Sequence, residues 1–208
     1  MSKIDTLVFD LGGVLIDWNP EYVFLKEFRG NREKMDWFLN HICSWSWNMN
    51  QDAGYPIAKA TQERIELFPE YKSLIEMYYG RWEEMLGYAH EDTLEILQKA
   101  IEHPNYRIYA LTNWSGETFP KALKKFPWLQ WFEGILVSGD EGIRKPSTQI
   151  YELLCNRFQI NPENALFIDD SLPNVKGAEN IGMKAIHFSN AETLKAQLQE
   201  KKVSLWDA

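Results

Sequence analysis

The sequence predicts an α/β protein: a mostly parallel sheet with helices between its strands, interrupted once by an inserted block of helices. Three observations carry this expectation. Short apolar runs alternate with segments of helical period from about residue 88 onward, a spacing that fits right-handed βαβ units. Between residues 20 and 87 the apolar positions fall at helical spacing and no strand signal interrupts them. Several apolar runs end on polar residues, as strands of a parallel sheet do where ligands bind beyond their carboxyl ends.

The first run, Ile4 to Phe9, reads as a short buried strand that ends at Asp10 and the turn Gly12-Gly13. In the inserted block, Met35, Phe38, Leu39 and Ile42 share one helical face, and Leu74, Met77, Tyr78, Trp82 and Met85 share another. Between them, residues 41–55 lack a clean period and read as a loop. A helix near Glu91 to Glu102 then precedes a strand Arg107 to Leu111 that ends at Thr112-Asn113. A helix around Gly116 to Phe126 leads to a strand Gly134 to Val137, and Arg144-Lys145-Pro146 leads into a helix from Ser147 to Phe158. The strand Ala165 to Ile168 ends in Asp169-Asp170; a helix Pro173 to Gly182, a strand Lys184 to Phe188 and a final helix from Asn190 complete the pattern.

Asp10, Thr112, Asp169 and Asp170 thus converge on one edge of the expected sheet. Three carboxylates placed together raise one another's pKa unless a cation sits among them. Oxygen donors without neighbouring His or Cys favour Mg²⁺, an ion that commonly pairs with a substrate phosphate. Lys145 adds a positive charge, the Gly12-Gly13 turn lets backbone N–H groups approach an anion, and the Thr112 hydroxyl and Asn113 N–H can donate to phosphate oxygens. Such parts suit phosphoryl transfer with Asp10 as a carboxylate nucleophile.

Composition narrows the partners. With 45% hydrophobic and 25% charged residues the 208-residue chain reads as an ordinary soluble globular protein, and its net charge of -8 leaves no basic stripe for nucleic acid. No apolar run is long enough to span a bilayer, and two distant cysteines form neither a disulfide framework nor a metal site, so a cytoplasmic setting is expected. The oligomeric state is not legible.

Four motifs, taken in order, resemble those of the haloacid dehalogenase superfamily: VFDLGG with Asp10, ALTN with Thr112, the RKP stretch with Lys145, and FIDDSLPNVKGA with Asp169 and Asp170. The resemblance implies a Rossmann-like three-layer core over residues 1–17 and 88–208 with a helical cap over residues 18–87. It further implies a covalent aspartyl intermediate at Asp10, with Lys145 steadying that residue and Thr112 binding the transferred group. Mg²⁺ would lie among Asp10, the Gly12 carbonyl and Asp170, with Asp169 as a ligand or behind one. In the cap, Trp47, Asn48 and Asp52 become candidate substrate contacts; Trp18, Asn19 and Trp114 lie where cap and core would meet.

One departure from the superfamily's phosphatases stands at Gly12, the position of their second acid. Its absence resembles the haloacid dehalogenases, whose halide leaves without a proton; the pair Asp169-Asp170 resembles Mg²⁺-dependent phosphatases. The acidic pair weighs more, because adjacent acids beside a third are costly without a metal. The FDLGGV form also resembles a subgroup related to bacterial sugar-1-phosphate phosphatases, so a small phosphomonoester, a sugar phosphate among them, is the expected substrate. The rival readings are a metal-independent 2-haloacid dehalogenase and a non-catalytic protein that binds a phosphorylated metabolite.

Overall fold

The computed structural model describes residues 3–206. Strand β1 (Thr6–Phe9) lies at the centre of a five-stranded sheet, and all four of its side chains are buried, as a strand covered on both faces requires. The other members are β4 (Arg107–Thr112), β5 (Gly134–Val137), β6 (Ala165–Asp169) and β7 (Lys184–His187), in the order β5-β4-β1-β6-β7 with every pairing parallel. The chain builds outward from β1 through β4 to β5, then crosses to β6 and β7 on the other side. The order therefore reverses beside β1, the place where open parallel sheets bind ligands.

Alternate residues of each strand face opposite layers. Leu7 and Phe9 join Ile108, Ala110, Leu166 and Ile168 in one buried cluster, whereas Val8 joins Tyr109, Leu111 and Phe167 in the other. Between β1 and β4 come β2 (Ile16–Trp18), the helices α1 (Glu21–Glu27), α2 (Arg32–His41), α3 (Trp45–Gln51), α4 (Ile57–Leu67) and α5 (Lys72–Gly80), then β3 (Leu86–Ala89) and α6 (Glu91–Glu102). The remaining helices are α7 (Phe119–Lys125), α8 (Ser138–Glu141), α9 (Thr148–Phe158), α10 (Leu172–Glu179) and α11 (Ala191–Glu200). Phe24, Phe38 and Tyr78 pack with ring centroids 5.0 and 6.0 Å apart and tie α1, α2 and α5 together.

Two expectations are corrected. Residues 41–55 are not a loop throughout: Ser44 Oγ accepts from the Trp47 N–H at 3.3 Å and starts α3, with irregular backbone kept on either side of the helix. The buried face of α3 is Trp47, Asn48 and Gln51, so polar residues occupy positions where an apolar period would have revealed the helix. Nor is the stretch up to residue 87 free of strand, since β3 begins at Leu86 and pairs antiparallel with β2 in a two-stranded ribbon. Its sequence, Leu-Gly-Tyr-Ala, has no alternation because Gly87 makes room for a partner's side chain; a Cβ there would meet Asp17 Oδ2 at 1.9 Å.

Candidate active site

Asp10 leaves the end of β1 with its carboxylate 7% exposed. Its Oδ1 accepts from the Leu11 N–H at 2.7 Å and pairs with Lys145 Nζ at 2.9 Å. Lys145 is fully buried, and its ammonium has three partners for three protons: Asp10 Oδ1, Asp169 Oδ2 at 2.7 Å and the Leu111 carbonyl at 2.9 Å. Asn113 holds the lysine backbone from both sides, accepting from its N–H at 2.9 Å and donating to its carbonyl at 3.1 Å. The expected ligand contact is in that respect a support for Lys145.

Asp169 is wholly buried at the end of β6. Its Oδ1 accepts from the Ser171 N–H at 2.8 Å, and Asn174 Nδ2 reaches both of its oxygens at 3.0 and 3.1 Å. Asp170 is exposed beside it, and His187 Nε2 donates to the Asp170 carbonyl at 2.9 Å. Among the described residues, Asp10, Asp169 and Asp170 can each offer an oxygen within 4.8 Å of the others.

Burial pushes the Asp10 carboxyl well up, against the pull of Lys145 and with the help of both neighbouring acids. Asp170 also rises, first through partial loss of water around its carboxyl and then through the charge of Asp169. Three carboxylates facing one ammonium are short of positive charge, and the donors are all hard oxygens. This set fits a divalent cation such as Mg²⁺.

Gly13 has φ +74°, and a Cβ there would fall 2.3 Å from Asp170 Oδ2, so the turn needs glycine to pass the acid. Gly12 differs: a Cβ at this position would meet nothing within 4 Å. The absence of an acid there is not imposed by crowding.

Above these groups lies a cavity of about 550 Å³ lined by Asp10, Gly12, Gly13, Thr112, Asn113, Lys145 and Asp170, with Asn48 from α3 on its far wall. Trp47 is not among its lining residues. It packs against Tyr78 and Tyr79 at 5.3 and 5.5 Å and borders a second cavity between α3 and α4, because neighbouring positions on a helix face different directions. Asn48 Oδ1 accepts from the Tyr79 hydroxyl at 2.9 Å, and its Nδ2 donates to Asp52 Oδ2 at 3.1 Å.

Four tryptophans complete the wall, Trp18 tilted against Trp45 at 5.9 Å and Trp82 edge-on to Trp114 at 5.4 Å. The indole N–H groups of Trp18 and Trp114 are buried without a partner. Arg144 and Tyr79 also line the cavity and were not anticipated. Arg144 had a signal in its adjacency to Lys145, whereas Tyr79 had none apart from its place on an apolar helix.

The haloacid dehalogenase-like hydrolase family matches residues 4–182. The chain belongs to that family and is a hydrolase by membership. It is 22% identical over 198 residues to a sesquiterpene phosphatase of Aspergillus oryzae, a match that covers 93% of this chain and 94% of that one. A flavin mononucleotide hydrolase of Arabidopsis thaliana is 28% identical over 57% of this chain and 48% of its own length. Among solved structures, a HAD family enzyme of Bacteroides thetaiotaomicron in complex with magnesium and inorganic phosphate superposes with a TM-score of 0.70 at 23% identity, over 89% of this chain and 94% of that one. Among the described residues no helix is long and apolar enough to cross a membrane.

Proposed function

We propose that this hydrolase is a Mg²⁺-dependent phosphatase of small phosphomonoesters that works through a covalent aspartyl-phosphate at Asp10. The observation that carries the reading is the cluster of Asp10, Asp169 and Asp170 within 4.8 Å around the single ammonium of Lys145. Both partners of the Asp10 carboxylate fall on Oδ1, so Oδ2 is the oxygen presented to a phosphorus centre. Lys145 holds Asp10 in place and draws negative charge toward the transferred group. Thr112, at the carboxyl end of β4 in the same cavity, donates to a phosphoryl oxygen.

Asp10, Asp170 and the Gly12 carbonyl are the groups we assign to the cation. Asp169, with both oxygens engaged by Lys145, Asn174 and Ser171, positions the lysine from behind. Bound Mg²⁺ supplies charge neutralisation among the acids and the phosphoryl oxygens. In this reading residues 18–87 act as a cap over the core of residues 1–17 and 88–208, excluding water and holding the substrate's body. The four indoles offer flat apolar faces to that body, which suits the C–H face of a sugar ring or a compact apolar group.

The test is turnover of a phosphomonoester panel by the purified protein before and after chelation. Chelation is expected to abolish turnover and added Mg²⁺ to restore it, and Asp10→Asn is expected to lower it by on the order of 10⁴-fold or more. Release of halide from a 2-haloacid that survives chelation would instead establish the dehalogenase reading. Ligand binding by a protein without any turnover would establish the non-catalytic one.

A further inference from the structure

Expelling the alcohol of a phosphomonoester requires a proton on the departing oxygen, because an alkoxide is a strong base and a poor leaving group. The groups around the Asp10 cavity narrow the choice of donor. Lys145 has its three protons engaged by Asp10, Asp169 and the Leu111 carbonyl. Arg144 does not give up a proton in proteins. The Tyr79 hydroxyl is turned toward Asn48 Oδ1 and Gln51 Oε1, both at 2.9 Å. Asp10 and Asp170 belong to the cluster assigned to the cation, and no histidine lines the cavity. One carboxyl group remains, that of Asp52, 7% exposed and set in the wall formed by the helical insert.

We propose that Asp52, which lines the same cavity as Asp10, is the general acid and base of this site, in the role for which Gly12 has no side chain. The assignment rests on the phosphatase reading. Its orientation is prepared by a relay: Tyr79 fixes Asn48 through Oδ1, which turns Asn48 Nδ2 onto Asp52 Oδ2 at 3.1 Å. The Asp52 carbonyl accepts from the Ser138 hydroxyl and so anchors the end of α3 to the core. Asp52 is faced by Arg144 ahead of α9, the Ser115 N–H beyond β4, Asn48 on α3, and the Tyr78 and Tyr79 hydroxyls of α5. Burial lifts its carboxyl to about 7 against the pull of Arg144, so that acid and carboxylate forms are both present near neutrality.

Asp10 Oδ2 bonds to phosphorus as the phosphorus–oxygen bond to the alcohol breaks; that oxygen keeps the electron pair and takes the Asp52 proton. The Asp52 carboxylate then removes a proton from water as the water oxygen bonds to phosphorus. The aspartyl–phosphorus bond breaks, inorganic phosphate leaves, Asp10 is a carboxylate again and Asp52 is protonated again.

The experiment compares phenyl phosphate with p-nitrophenyl phosphate, whose phenolate departs without help. Asp52→Asn is expected to lower kcat/KM for phenyl phosphate by on the order of 10²-fold and for p-nitrophenyl phosphate by less than about tenfold. In the unsubstituted protein, the ratio of p-nitrophenyl to phenyl turnover is expected to rise as pH passes through about 7. Placing an acid at the open position, Gly12→Asp in the Asp52→Asn background, is expected to recover phenyl phosphate turnover. Equal losses on both esters, or a ratio in the unsubstituted protein that stays flat with pH, overturn the assignment of Asp52 and leave the phosphatase reading standing. No turnover of either ester by the unsubstituted protein overturns both.

Discussion

The floor and the far wall of the cavity are built on opposite principles. On the floor, Lys145 and Asp169 are completely buried and each has its hydrogen-bonding capacity filled at 2.7 to 3.1 Å. On the wall, two indole N–H groups are buried without a partner and the lining is mostly aromatic. A saturated ionic network has one low-energy arrangement, so the floor is rigid and preorganised. Buried donors without a partner cost stability, and aromatic faces make contact by area rather than through a fixed set of hydrogen bonds, so the wall is the less constrained side of the cavity. The difference sets a saturated polar floor against an aromatic wall with unmet donors.

The most severe way to break this contrast is to unbalance the floor. Lys145→Met leaves Asp10 and Asp169 buried without their cation; it is expected to abolish turnover and to cost about 3–5 kcal/mol in chemical denaturation. A smaller effect tests the one acid of the wall. Because folding raises the Asp52 pKa from 3.8 to about 7, the folded state holds a proton over that window that the unfolded chain has lost. Its contribution is therefore present below about pH 4 and is lost as pH rises toward 7. Asp52→Asn is expected to remove that slope, so that its stability relative to the parent rises by about 3 kcal/mol between pH 5 and pH 8, as read by urea titrations at the two pH values. The smallest effect belongs to Trp45, which lines the cavity yet is 61% exposed. Trp45→Ala is expected to change stability by less than about 0.5 kcal/mol while raising KM roughly fivefold with kcat little altered.

Much of the floor was legible because strand ends are local features. Asp10 follows an apolar run, Thr112 closes another and Asp169-Asp170 ends a third, and a parallel sheet brings such ends together whatever lies between them. Even Asn174, five residues beyond Asp169, could be suspected from spacing along the following helix; it reaches both Asp169 oxygens. The wall was less legible. The helix α3 buries Asn48 and Gln51 beside Trp47, a mixture that erases the apolar period by which a helix is read. Trp47 and Asn48 are adjacent in sequence, yet only Asn48 lines the cavity over Asp10.

The sequence by itself determined the α/β class, the order of the chemistry-bearing strand ends and the absence of an acid at Gly12, since each depends on residue type and short-range spacing. Only the tertiary structure decided what surrounds them. It placed the Lys145 ammonium between two carboxylates, paired β2 with β3, and left open space beside Gly12 with Asp52 in the wall of the same cavity. Those outcomes depend on packing between segments far apart in the chain, where the direction of a side chain follows from which face of its element the rest of the fold buries.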